Sequence, residues 1–317
     1  MKKINDIIKL IKENEYISIF FHTNPDFDAL GSSLGLKTFI QKKFVNKKVC
    51  VIDLDLVEKS VLSNFPKIKK SKQFNEKETK KSIGIVCDCA NIERINSKKY
   101  ESCKQIVKID HHPNIQSYGV VNWTDSSYGS ACEMVWELIF SYDKKIIDNE
   151  IASFIYAGIY TDTNRFFYSC VSQNTFKIMT QIMPFLPNYA DLNFKFSERT
   201  ISEIMFQNKI YQIINFDTSN RVGSLIIQPK VFEQYNIIPN SMIYLMANIE
   251  GIDIWTSIYF DKKSGKWKGS IRSKNIDISK VAIKYKGGGH KFASGFVLEN
   301  EKEFGDVLKD LQKLTKK

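Results

Sequence analysis

This 317-residue chain contains no apolar run approaching the ~18 uninterrupted residues that a spanning helix needs, which excludes a helical membrane span. It has no Cys-x-x-Cys pair. Its six cysteines (50, 87, 89, 103, 132 and 170) fall mostly in apolar strand-like or helix-like stretches, which argues against a disulfide scaffold and for reduced, buried thiols. Cys87 and Cys89 flank Asp88, and strand alternation would turn both away from the face that Asp88 uses. Internal repeats and low-complexity tracts are absent, and so is any block of like charge. The 46 Lys+Arg outnumber the 35 Asp+Glu to give +11, but the lysines come in scattered pairs such as Lys42-Lys43 and Lys47-Lys48. That balance suits a polyanionic partner such as nucleotide, RNA or DNA, and it equally suits a lysine-rich proteome. Asp6, Lys9, Lys12 and Glu13 interrupt the apolar pattern of the first twenty residues, which breaks a signal-peptide core. The expectation is a soluble, cytoplasmic protein with no membrane partner.

Histidine is scarce, and its placement is the strongest chemical signal. All four histidines lie in three short motifs: His22 in His-Thr-Asn-Pro-Asp-Phe-Asp, His111 and His112 in Asp-His-His, and His290 in Gly-Gly-Gly-His. Imidazole ligates borderline divalent metals and titrates near neutral pH, whereas aspartate supplies harder oxygens that can bridge two ions. Together the motifs read as the donor set of a two-metal hydrolase. Asp26 and Asp28, two apart, could reach different metals, while Gly31-Ser32-Ser33 opens a helix whose N-terminus favours anions. Taken alone, Asp-x-Asp reads more simply as a helix start with Asp28 as its cap, and a triple glycine as a flexible turn.

Length implies two domains, since single cores usually stop growing near ~250 residues. Ile4, Ile7, Ile8 and Ile11 recur at helical spacing. Tyr16–His22, Val49–Asp53, Ile83–Asp88 and Gln105–Asp110 read as short apolar strands, with a helix over Leu30–Ile40. This alternation predicts an α/β fold with a mostly parallel sheet flanked by helices. Its functional groups should gather outside the carboxyl ends of the strands, where His22, Asp26, Asp28, Asp88, Asp110, His111 and His112 fall. Helices are expected over Ser130–Tyr142 and Glu150–Tyr160, the second running into Asp162. The pattern weakens through Pro184, Pro187 and Asn188. The predicted organisation is a catalytic domain over 1–185, a helical connector over 186–220 with a helix near Ile201–Ile214, and a smaller α/β domain over 221–317. The last should carry strands at Val222–Gln228, Met242–Ile249, Ile252–Phe260 and Trp267–Arg272, a turn at Lys262–Gly265, and a helix near Ile278–Tyr285 entering the glycine loop.

The ordered set His22-x-x-x-Asp26-x-Asp28, Asp88, Asp110-His111-His112 and Asp162 resembles the DHH phosphoesterase superfamily. Gly287-Gly-Gly-His-Lys-Phe-Ala-Ser-Gly295, preceded by Arg272-Ser273, resembles its partner domain DHHA1, so the likeness runs from His22 to Gly295. The resemblance implies one metal held by His22, Asp26 and Asp88, and another held by Asp28, Asp88, His111 and Asp162, with Asp88 bridging. Mixed nitrogen and oxygen ligation suits Mn²⁺ better than Mg²⁺. His112 would contact the scissile phosphate or the leaving group, with Asp110 orienting the histidines. Arg272 and Ser273, with Gly287, Gly288, Gly289 and His290, would bind substrate: the arginine as a fork for phosphate, the glycines by close backbone approach, the histidine on phosphate or base. Ser130 and Glu133 match a polar helix start of the family and equally a plain cap. Phe27 stands where relatives often have a small residue, and Asn164-Arg165 follow Asp162 where smaller groups are expected. Both departures can reshape the mouth of the site or point to solvent.

The glycine-histidine segment argues against the manganese pyrophosphatases, and the chain is too short for the additional domains of RecJ. The resemblance therefore favours the group of bifunctional oligoribonucleases (nano-RNases) and pAp phosphatases. The expected activity is hydrolysis of short oligoribonucleotides and linear dinucleotides such as pApA to nucleoside 5′-monophosphates, with pAp to AMP as a second reaction. One alternative is a cyclic di-AMP phosphodiesterase. A more remote one is a non-catalytic nucleotide- or RNA-binding regulator, although every expected ligand is present. A homodimer is a family expectation.

Overall fold

The apolar runs that end beside aspartate and histidine become the strands of one sheet. The computed structural model describes residues 2–69 and 72–316, which divide into two compact units, Met1–Glu198 and Arg199–Lys317. The first unit contains α1 (Lys2–Glu13), β1 (Tyr16–Phe20), α2 (Phe27–Lys43), β2 (Lys48–Val51), α3 (Lys59–Ser63), α4 (Glu76–Lys81), β3 (Ser82–Cys87), β4 (Ile106–Asp110), β5 (Val121–Thr124), α5 (Ala131–Asp143), α6 (Asn149–Asp162), α7 (Gln173–Ile182) and α8 (Tyr189–Ser197).

Among the described residues its strands run in the order β2-β1-β3-β4-β5, every pair parallel, with Ile19 opposite Val51 on one side and Ile85 on the other. All six residues of β3 are buried, as expected for a parallel strand with both faces covered. From β1 the chain crosses to β2 on one side and then to β3 on the other. The carboxyl ends of β1 and β3 therefore flank the point where the strand order reverses, where open α/β sheets bind ligands. α1 buries the four isoleucines of its predicted stripe. α2 is buried from Asp28 to Ile40, a core helix. Gly158 of α6 lets it approach so closely that a Cβ there would meet Cys132 Sγ and stand 2.9 Å from Asp28 Oδ1. β5, whose burial alternates, was not anticipated from the sequence.

The second unit contains α9 (Ile201–Ile213), β6 (Asn215–Asp217), β7 (Val222–Ile227), α10 (Pro229–Tyr235), β8 (Ile254–Asp261), β9 (Lys266–Ser273), α11 (Ser279–Lys284), β10 (Gly288–His290), β11 (Ala293–Leu298) and α12 (Phe304–Thr315). Among the described residues its strands run β10-β11-β9-β8-β7-β6, with β7 and β8 parallel and the other pairs antiparallel. Strand alternation feeds two apolar clusters: Val222, Ile254 and Ile258 pack with Phe304, Val307 and Leu311 of α12, while Leu225, Ile227 and Trp255 pack with Phe206 and Ile210 of α9.

Two local expectations change. Met242–Ile249 forms a single 3₁₀ turn at Ile243–Met246 instead of a strand. Asn240 Oδ1 accepts the Met242 N–H at 3.0 Å, and both Met242 and Asn248 take left-handed conformations, so the backbone turns while its apolar side chains stay buried. A short apolar run is compatible with either outcome. The glycine segment, expected as a loop, pairs as edge strand β10, with Gly288 opposite Gly295 and His290 opposite Ala293. Among the described residues no helix is long and apolar enough to cross a membrane.

Candidate metal centre

His22 follows β1 almost directly and is 7% exposed. Its Nδ1 lies 2.8 Å from the Thr23 carbonyl oxygen. A carbonyl only accepts, so Nδ1 carries the hydrogen and Nε2 is the atom presented to Asp26 Oδ2 at 3.7 Å and to Asp88 Oδ2 at 3.4 Å. Asp26 is the N-cap of α2, its Oδ1 accepting from the Asp28 and Ala29 N–H groups at 3.0 Å each, which leaves Oδ2 for His22. The cap is thus Asp26 and not Asp28. Asp28 is buried in the first turn, where its carboxylate accepts from Ala131 N (2.7 Å) and Cys132 N (2.8 Å) at the start of α5. An anion at a helix N-terminus is favourable there. Ser130 is the N-cap of α5, accepting from Glu133 N at 3.2 Å.

Asp88 joins the two halves of the site. It follows β3 in a left-handed conformation (φ 55°) and is 1% exposed. Its Oδ2 faces His22, while Oδ1 lies 3.5 Å from His111 Nε2 and 3.4 Å from His112 Nδ1. That buried Oδ1 has no hydrogen-bond partner among the described residues. His111 Nε2 also stands 3.5 Å from Asp162 Oδ2 and 3.8 Å from Asp28 Oδ2. Asp162 comes from the last residue of α6. The donors thus form two triples, His22-Asp26-Asp88 and Asp28-His111-Asp162, with a third overlapping set, Asp88-His111-His112, between them. In each set the donor atoms lie within 4.8 Å of one another.

The electrostatics are those of excess negative charge. Burial opposes charge on the His22 ring, but Asp26 and Asp88 outweigh it and raise its pKa to about 10. Burial, and then the charges of Asp88, Asp162 and Asp26, push Asp28 well above the usual carboxylate range. Burial lifts Asp162 to about 6, with Asp26 and Asp88 adding to the rise and His111 opposing it. Protons compensate the carboxylates where cations can do so as well. An orphaned buried carboxylate oxygen between two sets of imidazole and carboxylate donors fits a pair of divalent metals.

Asp110, fully buried at the end of β4, accepts from His112 Nδ1–H at 2.8 Å. This leaves Nε2 of His112 as the ring atom with capacity for another partner. Beneath Asp110 lies a residue that the sequence reading missed. Lys108, also fully buried, donates to the Ala90 and Gln116 carbonyls at 3.0 Å each and forms an ion pair with Asp110 Oδ2 at 3.1 Å. Two residues apart on one strand, they share a face, and the available signal was a lysine inside the apolar run Ile-Val-Lys-Ile. Cys87 and Cys89 do not share a face. The left-handed Asp88 breaks the alternation, so Cys87 joins the core beneath α2 and Cys89 packs with Phe20 and Ile52. Burial pushes the Cys89 thiol up to about 11, and neither cysteine belongs to the donor sets.

In the second unit Arg272, Ala293 and His290 pair in one cross-strand row. Two strand spacings put the Arg272 and His290 backbones roughly 10 Å apart on a common face, with only a methyl between them. Arg272 Nη1 donates to the carbonyls of Ile271 (2.9 Å) and Ser294 (3.3 Å). Ser273 points to the opposite face, buried, its hydroxyl donating to Ile276 O at 2.5 Å. A Cβ on Gly287 would collide with Gly295 O, and on Gly289 (φ 139°) with Ala293 O at 2.6 Å, so strand packing already requires these two glycines. A Cβ on Gly288 would meet nothing within 4 Å among the described residues.

Comparison with known proteins covers both units. The model of the DHH family, N-terminal domain, matches residues 16–159, and that of the DHHA1 domain matches residues 236–317. An uncharacterized protein of Mycoplasma genitalium is 33% identical over 305 residues, spanning 95% of this chain and 92% of its own. The bifunctional oligoribonuclease and PAP phosphatase NrnA of Bacillus subtilis is 29% identical over 317 residues, 98% of each chain. Among solved structures, an exopolyphosphatase-related protein from Bacteroides fragilis has a TM-score of 0.86 at 20% identity, covering 100% of this chain and 98% of that one, a likeness of fold.

Proposed function

Because the chain belongs to the DHH family of phosphoesterases and carries the DHHA1 domain as well, we propose that it hydrolyses short oligoribonucleotides and linear dinucleotides such as pApA to nucleoside 5′-monophosphates. Removal of the 3′-phosphate of pAp is its second activity. The observation that carries this reading is Asp88, buried between two donor sets with one oxygen toward each. The names of relatives such as the B. subtilis oligoribonuclease and PAP phosphatase supply the substrate class.

His22, Asp26 and Asp88 would hold one divalent cation, and Asp28, Asp88, His111 and Asp162 the other. Mixed nitrogen and oxygen donors favour Mn²⁺ over Mg²⁺. Such a pair, when bound, stabilises charge on the phosphoryl oxygens and supplies an acidified water. The chain's own groups do the rest. Asp110 fixes the His112 ring through Nδ1 and aims Nε2 at a phosphoryl oxygen or the leaving oxygen, while Lys108 keeps Asp110 ionised in its buried setting. Asp28, bonded to two N–H groups of α5, cannot swing away from its place. In the second unit, Arg272 and His290 supply cationic and hydrogen-bonding groups for a terminal phosphate, and Gly288 lets it approach the backbone. Ser273 supports this face from beneath through its bond to Ile276.

The test is product analysis with Mn²⁺-loaded protein on pApA, pAp, cyclic di-AMP and a long unstructured RNA at equal nucleotide concentration. Release of AMP from pApA and pAp, with the long RNA and the cyclic compound slow, is the expected result. Equal turnover of cyclic di-AMP would make second-messenger hydrolysis the better description, and no product from any substrate by metal-loaded protein would refute the enzymatic assignment.

A further inference from the structure

Phe27 stands between the two aspartates of the first motif, and the metal centre gives it no role. Its half-buried ring meets Phe65 edge-on at 5.0 Å and Phe196 at 5.6 Å. From Phe196 the ring contacts continue through Tyr160 (5.8 Å) and Phe166 (6.0 Å) to Phe176 (6.0 Å). An open cleft of about 440 Å³ lies against this wall, bounded by Asp26 and Asp162 together with Phe27, Val61, Phe196 and Asn64. Two of the candidate metal donors are thus part of its lining. The Asn64 side-chain amide makes no hydrogen bond among the described residues, although it can both donate and accept.

An aromatic wall, an unpartnered amide and adjacent phosphate chemistry define a ligand with one flat apolar face and a polar edge. The volume falls in the range of small-molecule clefts. Resting on the phosphodiesterase reading, we propose that this cleft is a nucleobase subsite: the base of the nucleotide whose phosphate lies at the metal centre stacks on Phe27, with the Asn64 amide at its edge. Stacking tolerates any base, because every base has a π-face, so the subsite admits short RNAs of mixed sequence. Phe27 is then a residue that determines what this site accepts, with Phe196 beside it in the lining.

The experiment measures equilibrium binding of AMP and of ribose 5-phosphate to the full chain in Mn²⁺. The two ligands share the phosphate and sugar and differ by the base. The wild type should prefer AMP roughly tenfold, the worth of one base–aromatic stack. Phe27→Leu, which keeps apolar contact with Phe65, should reduce that preference to about threefold or less, and Phe27→Trp should retain it. An unchanged preference in Phe27→Leu overturns the proposal, as does an equal loss of ribose 5-phosphate binding, which would mark the ring as mere support for Asp26. If Phe27→Leu does not fold, Asn64→Ala carries the test: its preference for AMP over ribose 5-phosphate should fall, and no change overturns the proposal. Binding without turnover of pApA would count against the enzymatic reading and leave the subsite standing.

Discussion

Replacing Lys108 by methionine keeps the stem and deletes the charge beneath the Asp110–His112 pair. The ammonium serves two carbonyls at 3.0 Å, an ion pair at 3.1 Å and the Tyr118 ring at 5.0 Å, all in a fully buried setting. Burial raises the Asp110 pKa, but the His112 hydrogen bond and the charges of His112 and Lys108 outweigh it and hold the carboxyl below its usual range. Without Lys108 a buried carboxylate is left with His112 alone, and losing one partner of a buried pair costs about 3–5 kcal/mol. Each kcal/mol shifts the melting midpoint of a unit this size by about 2–4 °C, so a drop of roughly 6–20 °C is expected. The assay is thermal and urea unfolding of the wild type, Lys108→Met, Asp110→Asn and the double variant. The double variant should be more stable than the sum of the singles by about 1–3 kcal/mol, since it buries no unpaired charge. A Lys108→Met loss under about 1 kcal/mol, or strict additivity in the double variant, would refute the reasoning that the lysine holds Asp110.

Three further outcomes are expected. Asp88→Asn keeps a residue that tolerates the left-handed backbone but removes the charge between the donor sets. Mn²⁺ content by elemental analysis should fall and turnover drop more than ~100-fold, beyond the range of outer-shell changes, while the metal-free protein melts no lower because Asp28 and Asp162 lose a repelling neighbour. Gly158→Ala drives a methyl into Cys132 and Asp28, and calorimetry should register about 1–3 kcal/mol of overpacking loss together with weaker metal binding; an unaltered variant would mean that α2 and α6 separate freely. Hydrogen bonds from Lys284 and Lys313 hold the Asp310 carboxyl down to about 2. A depressed pKa contributes stability above the ordinary value of ~3.9 and loses it as pH falls toward the folded one, so the deficit of Asp310→Asn in melting curves should disappear between about pH 4 and 2.

Much of the first unit was legible because its apolar runs end in the candidate site residues themselves: Ile83–Asp88 becomes β3 plus Asp88, and Gln105–Asp110 becomes β4. Strand ends that converge account for His22, Asp26, Asp28, Asp88 and His111, whereas Asp162, at the end of a helix, enters through the family resemblance; all six lie together in three dimensions. What the sequence hid depends on single backbone angles and on tertiary partners. The left-handed Asp88 sends Cys87 and Cys89 to different clusters, which strand alternation cannot anticipate. Asp28 finds its N–H partners more than a hundred residues away, so a local reading assigns it as a cap. Met242–Ile249 has the composition of a strand, and two left-handed residues turn it into a bend.

The six candidate donors all belong to the unit Met1–Glu198, whose apolar core is separate from those of the second. A ligand bound only by the folded form adds RT ln(1 + [L]/Kd) to stability, about 2.7 kcal/mol at a hundredfold excess over Kd. Cation binding at these donors, as proposed, would therefore stabilise the first unit directly. On the proposed metal-binding reading, depletion of divalent cations removes that increment from the unit that carries the donors, so its unfolding midpoint should track free cation concentration.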